Sequence, residues 1–330
     1  MSGIKTRPVG ETGVRLTELG FGAAPIGNLY QAVTDEQARA TVAAAWKSGI
    51  RYFDTAPHYG LGISERRLGA ALRDYPRDEY VLETKVGRLL VKNDHRVGTD
   101  QADGFDTEDE LTRVRDYSAD GVRRSLEQSL DRLGLDRIDV ALVHDPEDHL
   151  EQAAEEAIPA LCELRDQGVI RAVGLGMNFV DPLHWFVTRD YPPGVRVDLV
   201  LAAGRWTLLD RTAGVLLDAC AERSVGVVAA APFNTGLLAS AEPNPNGYFD
   251  YLPVTEEVLD RARQFAAVAA EHGVELPQAA LQFPLRHPAV VSVLAGMRAP
   301  GEVEVNATMI NTPIDAPAWT ALDQLEPLLS

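Results

Sequence analysis

Four side chains in the first half of the chain, Asp54, Tyr59, Lys85 and His144, are of the types needed to take hydrogen from an oxygen-bearing carbon. When a hydride leaves such a carbon, the hydroxyl proton must leave as well, and a general base has to accept it. Tyr59 can do so. A free phenol titrates near ~10, so it needs a neighbour that stabilises the phenolate, and the Lys85 ammonium within contact is such a neighbour. Each tenfold gain in acidity corresponds to about 1.4 kcal/mol of differential interaction. An unpaired buried ammonium tends to lose its proton, and the Asp54 carboxylate keeps it charged and oriented. His144 can hydrogen-bond the substrate oxygen or share the proton with Tyr59, and in the reductive direction the tyrosine becomes the general acid. Taken singly, each residue has an ordinary role: an Asp at a strand end often caps a helix, a strand-end Lys is usually solvated, and a lone His is more often structural. The conjunction points to chemistry.

Residues this far apart act together only if the fold gathers them. Short apolar runs at 19–21, 51–53, 80–84, 138–143, 172–175, 198–202, 226–229 and 290–294 alternate with amphipathic stretches, among them 35–48, 119–133, 151–166 and 256–272. Thr34 and Ser118 read as helix N-caps, and Gly49, Gly134 and Gly273 as helix-ending glycines. Near-continuous apolar strands suit a parallel sheet covered by helices. Eight strand-helix units in one chain predict a closed (β/α)8 TIM barrel, a single domain over 1–330, preceded by a β-hairpin over 7–18 that turns at Glu11-Thr12-Gly13. In such a barrel, polar residues at the C-terminal strand ends face the active site. The second run stops at Asp54, the third at Lys85 and the fourth at His144, with Tyr59 on the loop after the second, so the four should converge.

Two glycine pairs, Gly20-Phe21-Gly22 and Gly174-Leu175-Gly176, begin like a dinucleotide fingerprint, but the third position is Pro25 in one and Phe179 in the other. They read as tight strand-end turns. The charged, glycine-punctuated segment 88–117 lacks apolar periodicity and is expected to be a long loop. Placed directly after Lys85, it is expected to serve as a lid.

The chain has 330 residues, 45% of them hydrophobic, enough for one large core. Its net charge of −18 opposes binding to a polyphosphate backbone, so no nucleic-acid partner is expected. The start MSGIKTRPVGETG lacks a leader-like apolar stretch and no segment is apolar enough to span a bilayer, which predicts a cytoplasmic protein with no membrane association. Cys162 and Cys220 lie in helical stretches without CxxC spacing and read as buried thiols, and no metal is expected.

The segments FDTAPHYG, ETKVG and LVHDP resemble the three motifs that hold the tetrad of the aldo-keto reductases, with Asp54 and Tyr59 in the first, Lys85 in the second and His144 in the third. The likeness runs over nearly the whole chain, through Gly174 to Asn178, APFNTGLL at 231–238 and LAGMRAPGEVEVN at 294–306. ETKVGRLL, YSADGVRRSLEQSLDRLGLDRID and GRWTLLDR are most similar to the aldose 1-dehydrogenase subgroup, which takes D-threo-aldoses, L-fucose and L-galactose and includes a pyridoxal 4-dehydrogenase. The resemblance implies NAD(P)-dependent oxidation of a cyclic hemiacetal carbon to a lactone, with L-fucose, L-galactose, D-arabinose or pyridoxal as substrate.

It also implies a cofactor path. Asn178 would meet the nicotinamide amide, beside Gly22, Ala23, Asp54 and Met177; the pyrophosphate would lie along Pro232, Phe233, Asn234, Gly236 and Leu238; the adenosine end would meet Gly296, Met297, Arg298, Glu302 and Asn306. The last segment suits phosphate independently, because a helix opening at Pro300 offers free N–H groups and a favourable dipole. NADPH-preferring relatives often carry Lys at the position of Gly296 and Arg at that of Glu302. A glutamate repels a 2′-phosphate but accepts a bond from a free ribose hydroxyl, which favours NAD and leaves Arg298 as the residue able to admit NADP. Val305 replaces the usual Glu before Asn306, which weakens the adenine contact. Ala230 stands where an aromatic commonly stacks on nicotinamide, so Phe233 or Trp206 is expected to supply that surface. Substrate contacts are expected from Ile26, His58, Tyr59, His144, Arg205 and Trp206, whereas Trp46 and Trp185 read as packing. Rival readings are an NADPH-dependent aldehyde or ketone reductase, a Schiff-base aldolase using Lys85, and a nucleotide-binding regulatory barrel. The oligomeric state is left open.

Overall fold

The computed structural model describes residues 3–330. All eight expected runs are strands: β1 (Leu19–Gly22), β2 (Tyr52–Asp54), β3 (Val81–Val86), β4 (Val140–His144), β5 (Ala172–Met177), β6 (Leu199–Ala203), β7 (Gly226–Ala230) and β8 (Val290–Gly296). They close into one barrel in chain order, each parallel to its neighbours, with β8 returning to β1 through Gly296 opposite Gly22. The register carries Gly22 beside Asp54, Asp54 beside Glu83, Lys85 beside Leu142 and His144 beside Gly176, so the chemical ends of β1 to β5 stand side by side.

Strand alternation then assigns faces. Tyr52 and Asp54, Glu83 and Lys85, and Val140, Leu142 and His144 share the lining of the barrel, while Phe53, Leu82, Ala141 and Val143 pack outward against the helices. The helices bear this out in their signals. α1 (Asp35–Lys47) is capped by Thr34, which accepts from Gln37 N, and α3 (Ala119–Leu133) by Ser118, which accepts from Gly121 N, with α2 (Ile63–Leu72) between them. The expected helix over 151–166 is continuous but holds a π turn at Ala153–Ala157. Pro159 has no N–H to complete an ordinary ladder there. Later in the chain come α-helices Glu256–Glu271 and Pro300–Asn311, the second of which packs against α1.

The hairpin Thr6–Pro8 with Arg15–Thr17 plugs the N-terminal mouth: Val9, Val14 and Leu16 are fully buried among Tyr52, Val140 and Leu142. The barrel is therefore a filled core that opens only at the end where the tetrad lies. Gly20 and Gly174 are not turn residues as expected. They lie within β1 and β5, where a Cβ on Gly174 would sit 2.1 Å from the Leu199 carbonyl oxygen and one on Gly20 would sit 2.5 Å from the Tyr52 ring.

The expected long loop is largely ordered. Arg88–Lys92 and Leu111–Arg115 form an antiparallel ribbon, in register from Arg88 opposite Arg115 to Lys92 opposite Leu111, with a 3-10 turn at Gln101–Asp103 between them. Leu89, Leu90 and Phe105 anchor it, and ladder bonds and ion pairs such as Arg113 with Asp100 at 2.6 Å hold the more exposed rest. Hydrophobic periodicity does not report such a ribbon. Both cysteines are buried and free, as expected. Among the described residues no helix is long and apolar enough to cross a membrane, and no group of His, Cys, Asp or Glu is arranged to hold a metal.

Candidate active site

Asp54 ends β2 and Lys85 lies one residue before the end of β3, on the same inner face. Both are buried. The Lys85 ammonium is ion-paired to Asp54 Oδ1 and donates to the Thr55 carbonyl at 3.1 Å. Tyr59 reaches the pair from the loop after β2, with Lys85 Nζ 4.8 Å from its ring centroid. That loop is pressed against the 3-10 turn Pro25–Gly27. Gly60 at φ +61° would place a Cβ 2.1 Å from the Gly27 carbonyl oxygen, so only glycine lets the chain pass there. Thr55 Oγ1 and Ser64 Oγ share a bond of 2.8 Å, and Ser64 donates to the Ala23 carbonyl at 2.8 Å, pinning the loop to β1. His144 ends β4, its ring edge-on to Tyr59 with centroids 6.1 Å apart. The four residues converge as their strand-end positions imply.

The electrostatics differ from the expectation in one respect. Burial opposes the charge on Lys85, but the Asp54 carboxylate paired with it outweighs that burial and holds the ammonium charged, with a pKa above the ordinary lysine value. Burial raises the Tyr59 phenol, and Lys85 pulls it down without offsetting that burial and the nearby Asp54 carboxylate. Tyr59 is thus a neutral phenol, not a phenolate in waiting. Burial, Arg88 and Lys85 keep His144 well below the usual imidazole value, hence neutral, with its Nδ1 buried and without a hydrogen-bond partner among the described residues. A neutral phenol beside a neutral imidazole can accept a proton from a substrate hydroxyl and pass its own to the ring, which spares the phenolate. His58 packs 5.7 Å from His144 and is lowered to about 2 by burial and by Arg88 and Arg113, so it too is uncharged.

Beneath the pair lies Glu83, fully buried, accepting from Tyr52 Oη at 3.0 Å. Burial and the Asp54 carboxylate push its carboxyl well above the usual range, so it is protonated. Sequence reasoning missed it, although its place two residues before Lys85 on a strand puts it on the same face. Arg88 and Asp145, ion-paired beside His144, were missed as well. So were Phe105 on the ribbon connection, whose ring stands 6.2 Å from that of Tyr59, and Arg113, which donates to the His58 carbonyl at 2.7 Å.

The tetrad lies at the floor of a cleft of about 840 Å³, of a size that takes a sizeable ligand. Of the expected cofactor residues, Gly22, Met177, Asn178 and Gly296 line it with the tetrad and His58. Ala23, buried directly after β1, donates to the Asp54 carbonyl, and Pro232, Phe233, Gly236 and Leu238 belong to a tightly turned loop whose Asn234 faces a small side cavity with Thr235 and Asp250. Met297 is buried just before helix Pro300–Asn311 and Asn306 is buried midway along it. At that helix start Glu302 accepts from the Arg298 backbone N–H at 2.6 Å, while the Arg298 guanidinium donates to the Leu29 carbonyl at 2.7 Å.

Three expected substrate contacts are placed elsewhere. Ile26 is fully buried in the packing outside the barrel. Arg205 spends its guanidinium on the Asn178 carbonyl at 2.7 Å, on Asp210 at 3.1 Å and on Asp250 at 2.7 Å, and acts as a strut behind the Asn178 backbone. Trp206 packs on Phe283 and His287, with ring centroids 5.5 and 5.7 Å away, and Phe233 packs against the same apolar cluster. Neither supplies the expected stacking surface. The aromatic walls of the cleft are Tyr30, Phe105, Tyr248 and Tyr251.

The residues present fit a nicotinamide dinucleotide. Gly22, Gly176 and Gly296 leave the floor bare at three strand ends, and a Cβ on Gly296 would come 3.1 Å from Pro25. Asn234 Oδ1 and Arg298 Nε are buried with no partner among the described residues, a spare acceptor and a spare donor along the expected cofactor path.

The Aldo/keto reductase family profile matches residues 18–327. The chain is 45% identical over 314 residues to a D-threo-aldose 1-dehydrogenase from a Pseudomonas species, covering 94% of each chain. It is 37% identical over 336 residues to a pyridoxal 4-dehydrogenase from Microbacterium luteolum, covering 96% of each. Among solved structures, an aldo-keto reductase from Bacillus halodurans in its holo form superposes with a TM-score of 0.75 at 26% identity, over 98% of this chain and 97% of that one. With a strand-end tetrad, an eight-stranded barrel and these relatives, the chain belongs to the aldo/keto reductase family and is an oxidoreductase of its aldose 1-dehydrogenase type, acting on CH–OH groups.

Proposed function

We propose that the protein oxidises the hemiacetal carbon of an aldose such as L-fucose, L-galactose or D-arabinose to the lactone, with Tyr59 as the proton acceptor. The observation that carries this reading is the neutral Tyr59–His144 pair held over a charged Lys85–Asp54 pair at the floor of the cleft. The C1 hydroxyl gives its proton to Tyr59 Oη, which His144 can relieve, while the C1–H bond breaks with its electrons. A bound NAD(P) supplies the acceptor for that hydride. As Tyr59 passes its own proton to His144, Lys85, kept charged by Asp54, fixes the phenol and stabilises negative charge that develops on its oxygen. Asn178, with its carbonyl braced by Arg205, Gly22 and Gly296 would hold the dinucleotide. Glu302, at the start of helix Pro300–Asn311, supports NAD over NADP because its carboxylate opposes a 2′-phosphate there. The ribbon over 88–115 serves as the cover of the site, since Phe105 lies against both Tyr59 and His58.

Pyridoxal is the second reading, supported by the 37% identical pyridoxal 4-dehydrogenase and by aromatic cleft walls suited to a flat ring. The deciding experiment follows NADH or NADPH formation by absorbance with L-fucose, L-galactose, D-arabinose and pyridoxal, each with NAD and with NADP. Turnover of an aldose with NAD is expected. Activity restricted to NADPH and an aldehyde would instead make the protein a reductase.

A further inference from the structure

Asp145, directly after His144, is a non-glycine residue at φ +45°, a conformation that costs free energy and persists only where its surroundings impose it. Those surroundings are explicit. The Asp145 N–H donates to the Gly176 carbonyl at 3.1 Å, and the buried Tyr117 Oη lies 2.6 Å from the His144 carbonyl and 2.8 Å from that of Asp145, donating to the pair. This turn sends the Asp145 side chain into the cleft wall beside His144 instead of onward into solvent.

One carboxylate oxygen, Oδ2, is taken by the buried Arg88 guanidinium and lies 3.4 Å from His144 Nε2. The other, Oδ1, accepts no hydrogen bond from the described residues, and Asp145 lines the cleft. Because Arg88 already offsets the negative charge, the free oxygen does not select a cation, and being an acceptor it rejects phosphate or carboxylate groups. What it suits is a neutral donor, an O–H. The contact between Asp145 and His144 also sets the place of that donor. His144 meets the reacting oxygen, and neighbouring hydroxyls of a sugar stand about as far apart as hydrogen-bonded atoms do.

We propose that Asp145, held by Arg88, is a specificity-determining residue that accepts a hydrogen bond from the hydroxyl on the carbon next to the one oxidised, selecting 2-hydroxy aldoses over 2-deoxy sugars and sugar phosphates. The aromatic faces of Tyr30, Phe105 and Tyr248 then meet the C–H faces of the sugar. This rests on the aldose reading above. A site built to bond a hydroxyl penalises the analogue that lacks it, because its own polar group is left without a partner.

The test compares kcat/KM for D-arabinose and for 2-deoxy-D-ribose, which differs from it only in lacking the 2-hydroxyl, in the wild-type holoenzyme and in Asp145→Ala and Asp145→Asn. The wild type is expected to prefer the 2-hydroxy sugar by about 10- to 100-fold, the range of a charge-assisted hydrogen bond. The preference should fall at least about tenfold in Asp145→Ala, with Asp145→Asn between the two. A merely structural role lowers both substrates together and leaves the ratio untouched, and a ratio that survives in the variants overturns the proposal. The same holds if the wild type shows no preference. If Asp145→Ala does not fold, as judged by its melting and dinucleotide binding, the isosteric Asp145→Asn carries the comparison. If the wild type oxidises pyridoxal but neither sugar, the aldose reading and this proposal fall together, whereas sugar oxidation without a 2-hydroxyl preference removes only the proposal.

Discussion

At the scale of single residues, the site is governed by desolvation as much as by charge. The Tyr59 hydroxyl is the only part of that side chain able to accept the proton, so Tyr59→Phe should lower turnover by at least about 100-fold. The bare Gly22 and Gly296 floor is untouched by the change, and a fluorescence titration should find dinucleotide affinity nearly unaltered. Unchanged turnover would remove Tyr59 from the reaction. Glu83 lends itself to a second prediction. Its carboxyl is held neutral by burial and by Asp54, so its folded-state pKa lies above the unfolded value of ~4.3. The stabilisation of the neutral form is therefore complete below that unfolded value and is lost as pH rises toward the folded one, with a slope of up to about 1.4 kcal/mol per pH unit. In Glu83→Gln, which keeps the shape and cannot ionise, urea midpoints measured from about pH 5 upward should fall less steeply with pH than in the wild type. Parallel curves would mean that Glu83 is ionised in the folded protein.

At the scale of elements, the barrel strands and the ribbon over 88–115 are held by different forces. Strand β4 is locked by apolar contacts on both faces, with Val140 and Leu142 inward and Ala141 and Val143 outward. The ribbon depends on Arg113, which binds Asp100 through both terminal nitrogens, Asp103 at 2.8 Å and the His58 carbonyl. Arg113→Ala should therefore release the ribbon while sparing the barrel. Hydrogen exchange should accelerate over 88–115 with the eight strands still protected, and KM should rise about tenfold, equivalent to about 1.4 kcal/mol of binding. Acceleration spread evenly over the molecule would show that the ribbon is an integral part of the core. The same contrast explains what was legible at this scale. The capped helices at Asp35–Lys47 and Ala119–Leu133 announce themselves through Thr34, Ser118 and an apolar face, whereas the ribbon buries the adjacent Leu89 and Leu90 and leaves Val91 and Val114 half in solvent, so that no alternating face marks it.

For the whole molecule, a net charge of −18 on one filled barrel implies self-repulsion that salt screens. Raising NaCl from about 0.05 M to about 0.5 M should lift the melting temperature by a few degrees, roughly the effect of 1 kcal/mol in a chain of this size. A fall would mean that the surface ion pairs outweigh the repulsion. By itself, the sequence determined the eight strands, their barrel closure and the convergence of Asp54, Tyr59, Lys85 and His144, because strand periodicity and strand ends are short-range properties that neighbouring residues encode. Only the tertiary structure decided that Arg205 braces Asn178 instead of meeting substrate, that Arg88 and Asp145 stand beside His144, and that Tyr59 and Glu83 are neutral. Those facts follow from contacts between residues distant in the chain and from the exclusion of water around them, and neither exists until the barrel has closed.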